Sequence, residues 1–290
     1  MRNILIILTA LFFFNSCGRK AQNKHLNYQN IIILSDMSSR IDNKPLKDEE
    51  EIHKIVQYFK NECVKPGKKI GDKSSIYFSS ISGKAIATID INEIKNVSEK
   101  QQFINSTGKF INNGLNYQIR EFENKVKSTY SNFRNKGLDL ISALNEKIDK
   151  EPIIKEDTFF TDGIDKTFIK YDNHIYIFTD GYLEYLNKSS NNQFYFGSSE
   201  IEKVRQYCIT NSVDISTALD KNPSFCLPPI INNKNKFVNL HILETHERDK
   251  NDKLQTYENP IGLRDNEILE AVWRKWSIDS GFKSFDWKKY

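Results

Sequence analysis

The apolar positions of this chain alternate between short continuous runs and helical stripes. Ile31, Ile32, Ile33 and Leu34 form an unbroken run, the pattern of a strand buried on both faces of a parallel sheet. From Asp48 the spacing changes. Ile52, Ile55, Val56 and Phe59 follow the i, i+3, i+4, i+7 rule of a helix, and Asp48, Glu49 and Glu50 sit in its first turn, where the helix dipole favours negative charge. Strands are predicted over Ser75–Ser80 and 85–91, joined through Ser82-Gly83 in the manner of a hairpin. Residues 99–134 read as helix interrupted near Gly108 and Gly114, with Ile119, Phe122, Val126 and Phe133 on one face. Gly137 opens a further helix carrying Leu140, Ile141, Leu144 and Ile148.

Turns are expected at Asp162-Gly163 and at Asp172-Asn173, followed by a second buried strand over 174–179 that ends in Asp180-Gly181. Residues 186–199, rich in Asn and Ser, and 222–235, with three prolines, read as loop insertions. Between them Ile201, Val204 and Cys208 mark a helix. A late strand is expected over 237–244. A last helix then buries Ile268, Leu269, Val272, Trp273 and Trp276, the two tryptophans reading as core rather than as a stacking platform. No repeat of 20 to 50 residues is visible. Strand, helix and strand alternate, so the predicted class is α/β: one doubly wound domain over 28–290, with a mostly parallel central sheet and helices on both faces.

The N-terminus adds a location. Arg2, the apolar run from Ile4 to Phe14, and then Asn15 and Ser16 before Cys17 have the layout of a secretory signal over residues 1–16. The run is eleven residues, too short to span a ~30 Å hydrocarbon core, which needs about 20 in a helix. Cysteine directly after it, in Phe14-Asn15-Ser16-Cys17-Gly18, resembles the lipobox of bacterial lipoproteins, which implies acylation of Cys17. Residues 17–27 then form a polar, basic tether. The expected address is the cell envelope, on the periplasmic side of the inner or outer membrane or at the cell surface, with the membrane as first partner.

Charge changes the picture little. Charged residues make up 28% of the chain and the net charge is +4. Basic and acidic residues are interspersed without a stripe, so no nucleic-acid partner is expected. Cys63, Cys208 and Cys226 show no Cys-x-x-Cys spacing; Cys208 and Cys226 are placed either to pair across a short loop or to stay free.

The candidate chemistry lies where the two most apolar strands end. The first runs into Asp36-Met37-Ser38-Ser39-Arg40 and the second into Thr179-Asp180-Gly181. This resembles the von Willebrand factor A family, in which Asp-x-Ser-x-Ser after the first strand, Thr-Asp-Gly after the fourth and a loop threonine hold a metal ion that takes an acidic group from a partner. The resemblance implies a site of Asp36, Ser38, Asp139 and Asp180 for Mg²⁺ or another divalent cation. It also implies a protein partner. Arg40 stands where the family has its last serine, and Leu138, before Asp139, where it has threonine. Arg40 is thus placed to pair with Asp36 or Asp180 in the cation's stead. Equally, Asp36 and Ser38 are suited to cap the turn or helix that follows.

Other motifs fail on spacing. Gly67-Lys68-Lys69-Ile70-Gly71-Asp72 has three residues between its glycines where a phosphate-binding loop has four, and an Asp where that loop has Lys. No Gly-x-Ser-x-Gly or His-Glu-x-x-His pattern occurs, and His241 and His246 do not make a metal pair. No nucleophile or general base stands out. The expectation is therefore a binding module, with a metal-dependent envelope hydrolase using Asp36, Asp139 and Asp180 as the alternative.

Overall fold

The computed structural model describes residues 23–38, 45–69, 71–132, 139–185, 193–244, 247–251, 253–259 and 263–290. They divide into two compact units. The larger holds residues 28–156 and 171–290, and the smaller joins residues up to 27 with 157–170.

In chain order the elements are β1 (Asn23–Ser35), α1 (Pro45–Tyr58) continued by a π-helical turn over Phe59–Val64, β2 (Ser75–Ser80), β3 (Ala87–Asp90), α2 (Val97–Asn105), α3 (Leu115–Asn132) and α4 (Leu140–Lys150). There follow β4 (Thr158–Asp162), β5 (Asp165–Thr179), α5 (Ser198–Asn211), α6 (Ile215–Lys221), β6 (Val238–Glu244), β7 (Lys250–Asn251), β8 (Thr256–Tyr257), α7 (Asp265–Asp279) and β9 (Ser284–Lys289). The main sheet has the order β3-β2-β1-β5-β6-β9. β2 runs parallel to β1, and β6 and β9 follow β5 in parallel, while β3 is antiparallel to β2.

Between β1 and β5, Asn30 Nδ2 donates to Asn173 Oδ1 at 2.7 Å and the Asp36 amide donates to the Phe178 carbonyl at 2.9 Å. The partner numbers rise together along both strands, as they must in a parallel pair. With β4 set aside, the strands follow the 3-2-1-4-5-6 order of a doubly wound sheet, whose winding reverses between its first and fourth strands. Those strands are β1 and β5.

The two-sided burial expected of the first apolar run is realised residue by residue. Ile31 and Ile33 enter a core with Ile52, Val56, Phe103 and Phe122, so α1, α2 and α3 cover one face. Ile32 and Leu34 face the other way, into a core with Leu144, Ile201, Leu219 and Trp273, so α4 to α7 cover the second. Helix starts are set locally: Asn96, Asp139 and Asp214 each accept a backbone N–H of the first turn of α2, α4 and α6, a contact worth about 1 kcal/mol per cap. Trp273 and Trp276 are core residues, as expected. Among the described residues no helix is long and apolar enough to cross a membrane.

Several elements depart from the sequence pattern. Asp172-Asn173 is no turn: β5 passes straight through it, and Asn173 is fully buried. β1 begins at Asn23, inside the segment read as tether. Residues 198 and 199, placed in a loop insertion, already belong to α5. Cys63, Cys208 and Cys226 are free thiols. Cys226 Sγ donates to the Leu219 carbonyl at 3.3 Å, and Cys208 is buried among the core residues of α5. Burial pushes the Cys63 thiol up to about 12.

In the smaller unit, β4 pairs antiparallel with the first residues of β5 around Gly163, whose φ of 60° is the left-handed conformation a tight hairpin needs. Phe168 stacks on His25 with ring centroids 5.0 Å apart and meets Phe159 at 6.2 Å.

Candidate functional site

Asp36 follows β1 and Asp180 follows β5, so the two carboxylates stand at the carboxyl ends of neighbouring strands, where ligands bind in open α/β sheets. Both are almost fully buried, at 7% and 2% exposure. Asp36 turns the chain back on itself: Oδ1 accepts the Ser38 amide and Oδ2 the Ser38 hydroxyl, each at 3.1 Å. This is the local capping geometry of an Asx turn.

Asp180 is held from two sides. Its Oδ1 accepts the Tyr182 amide at 3.2 Å, and its Oδ2 receives Nε of Arg248 at 2.7 Å. Arg248 lies in the segment after β6, the strand beside β5. Its Nη1 donates to Glu184 at 2.5 Å, and its guanidinium carbon stands 4.0 Å from the centroid of the Tyr182 ring. Burial works to lower the Arg248 pKa, but Asp180 and Glu184 outweigh it and hold the guanidinium above its ordinary value.

Tyr182 is fixed in turn by donating to Asp265 Oδ2 at 2.5 Å, and Arg205 pairs with the other oxygen of Asp265. Burial, with help from Asp265, pushes the Tyr182 hydroxyl far up. Trp273 Nε1 donates to the Gly181 carbonyl at 2.8 Å, fastening the turn after Asp180 to α7.

The residues singled out in the sequence meet different fates. Asp36, Ser38 and Asp180 come together at the carboxyl end of the sheet's central strands. Asp139 spends its carboxylate on α4, accepting the Ser142 amide at 2.9 Å and the Ser142 hydroxyl at 2.7 Å. Arg40, Leu138, His246 and Cys17 lie outside the described residues. Among the described residues no three His, Cys, Asp or Glu side chains surround a common metal position.

With Arg248 in place, the described residues leave Asp180 closed to a divalent ion. Asp180 already carries a guanidinium on one oxygen and an amide on the other. A cation of charge two placed 4 Å from that guanidinium meets a repulsion of roughly 8 kcal/mol at an effective dielectric near 20. Arg248, Glu184 and Tyr182 escape a reading by motif because they lie in loops with no spacing signature. The signal for Arg248 is topological: it is a strong cation just past the end of a strand adjacent to β5.

No protein-family model and no characterised protein matches the chain in sequence.

Proposed function

We propose that the protein is a lipid-anchored, extracytoplasmic binding module of the von Willebrand factor A type. It engages a protein partner at the carboxyl end of its sheet. The observation that carries this reading is the meeting of Asp36-Met37-Ser38 and Thr179-Asp180-Gly181 at the ends of neighbouring strands, at the point where the winding of the sheet reverses. A doubly wound sheet leaves its crevice there, and side chains around it recognise ligands without disturbing the core. Beside it opens a cleft of about 690 Å³ lined by Arg248, Asp249, Lys250, Lys253, Tyr257 and Glu258, which gives a partner polar contacts of both signs. The N-terminal signal and Cys17 set this module on a membrane outside the cytoplasm.

The test is site-specific photo-crosslinking in living cells, with a photoreactive residue placed at Lys250 or Lys253 and, as controls, at Lys125 or Lys127 on α3. The expected result is a discrete adduct from the first pair of sites and none from the second. Absence of adducts at the cleft, or equal adducts at both places, overturns the reading.

A further inference from the structure

Two carboxylates just past the end of β5 share one internal cation. Asp180 and Glu184 hold two of the three nitrogens of Arg248, and the Tyr182 ring lies beneath its plane. The third, Nη2, has no hydrogen-bond partner among the described residues, and the side chain keeps 39% of its surface exposed. A guanidinium so fixed has lost its rotamer freedom in advance, so what remains of its donor edge is preorganised for a planar anion.

Arg248 also lines the cleft described above, together with Lys250 and Lys253. The two acidic residues there, Asp249 and Glu258, set a limit on the guest. They repel a dianion more than a monoanion, which favours a carboxylate over a phosphate.

We propose that Arg248 is the built-in cation of this site, and that its open guanidinium edge receives an Asp or Glu side chain of an acidic protein partner with no divalent ion between them. This rests on the reading of the carboxyl end of the sheet as a binding site and adds the chemistry of the partner and the source of the positive charge. Glu184 then acts as an internal competitor: its carboxylate occupies Nη1, and a partner's carboxylate gains by sharing or displacing it.

The experiment is fluorescence anisotropy on the full-length protein in mild detergent. Three labelled hexapeptides serve as probes: Gly-Glu-Asp-Glu-Asp-Gly, its amide counterpart Gly-Gln-Asn-Gln-Asn-Gly, and a phosphoserine peptide. Each is titrated in EDTA and again in Mg²⁺. The acidic peptide is expected to bind in EDTA, at least tenfold more tightly than the amide peptide, and with no gain from Mg²⁺. Arg248→Met should lose at least tenfold, Arg248→Lys should lose part of that, and Glu184→Gln should gain severalfold. Glu184 is half-buried and Gln keeps an oxygen for the Ser198 amide, so that variant keeps the test informative where Arg248→Met fails to fold with Asp180 left unpaired.

Binding only with Mg²⁺ overturns the role of Arg248 while leaving the binding module standing. Preference for the phosphoserine peptide overturns the choice of carboxylate. No binding in either buffer, or Glu184→Gln binding no better than wild type, overturns the proposal outright; the crosslinking experiment decides the module itself.

Discussion

His174 Nδ1 and His241 Nε2 face each other at 2.9 Å across β5 and β6, with their ring planes 20° apart and Tyr176 stacked on His241 at 4.5 Å. The outer nitrogen of each ring points to a carboxylate: His174 Nε2 to Asp172 at 3.6 Å and His241 Nδ1 to Asp286 at 3.5 Å. Lys283 shares Asp172.

Burial lowers both imidazole pKa values, and for His241 the charge of His174 lowers it further, against the pull of the two carboxylates. A folded-state pKa below the unfolded one means that the unfolded chain takes up more protons as pH falls through the His range. The stability contributed by the neutral pair is therefore complete above about pH 6.5 and is lost below it, with a slope of at most about 1.4 kcal/mol per pH unit for each extra proton bound on unfolding. Urea unfolding between pH 7.5 and 5 should show a steeper loss in wild type than in His174→Gln/His241→Gln. Equal slopes would mean that the pair does not titrate as described.

Asn173 is the centre of a buried polar network at the start of the parallel portion of β5. Its Oδ1 accepts Asn30 Nδ2 at 2.7 Å and the Lys155 amide at 2.9 Å, and its Nδ2 donates to the carbonyls of Lys155 at 3.0 Å and Phe237 at 3.2 Å. Asn173→Leu removes all four bonds; Asn30 Nδ2 keeps the Ile153 carbonyl at 2.7 Å, and the half-buried Lys155 and Phe237 backbone groups lose their side-chain partner, at about 1–3 kcal/mol for each group left unsatisfied. A loss of about 3 kcal/mol or more in denaturant unfolding is expected. A loss under about 1 kcal/mol would show that water replaces the side chain.

Gly181 has φ of 86°, and a Cβ there would come within 2.5 Å of Trp287 Cη2. Gly181→Ala should cost about 2–4 kcal/mol, combining backbone strain with overpacking. In a Trp287→Leu background the same change should cost only the backbone strain; if Gly181→Ala costs as much there as in wild type, the cost lies in the backbone alone.

Cys17→Ser should release the protein from membranes or block its processing, with no incorporation of labelled fatty acid. Retention of the label in that variant would contradict acylation at Cys17.

How much of this was legible in the sequence follows the physics of burial. Ile31–Leu34 of β1 and Ile175–Phe178 of β5 announce themselves because the stretch of a strand covered on both faces is apolar throughout, and the stripes of α1, α4 and α7 are set by a single covered face. Asp172-Asn173 misleads because that dipeptide is common in turns, whereas here Asn173 is retained inside a strand by four hydrogen bonds. β9, with the sequence Ser-Phe-Asp-Trp-Lys-Lys, carries little apolar signal because it lies at the edge of the sheet and buries few residues. At the site, Asp36 and Asp180 were legible as strand-end carboxylates. Arg248 was not, since only the fold brings a loop residue 68 positions away onto Asp180.

The central claim, that Arg248 supplies the positive charge at the end of β5, is met most directly by calorimetric titration of Mg²⁺ and Mn²⁺ into the wild-type protein and into Arg248→Met. Wild type should give no saturable binding up to millimolar metal, and removal of the guanidinium should open Asp180 and produce measurable heat. Saturable metal binding by wild type, unchanged in Arg248→Met, would contradict the account.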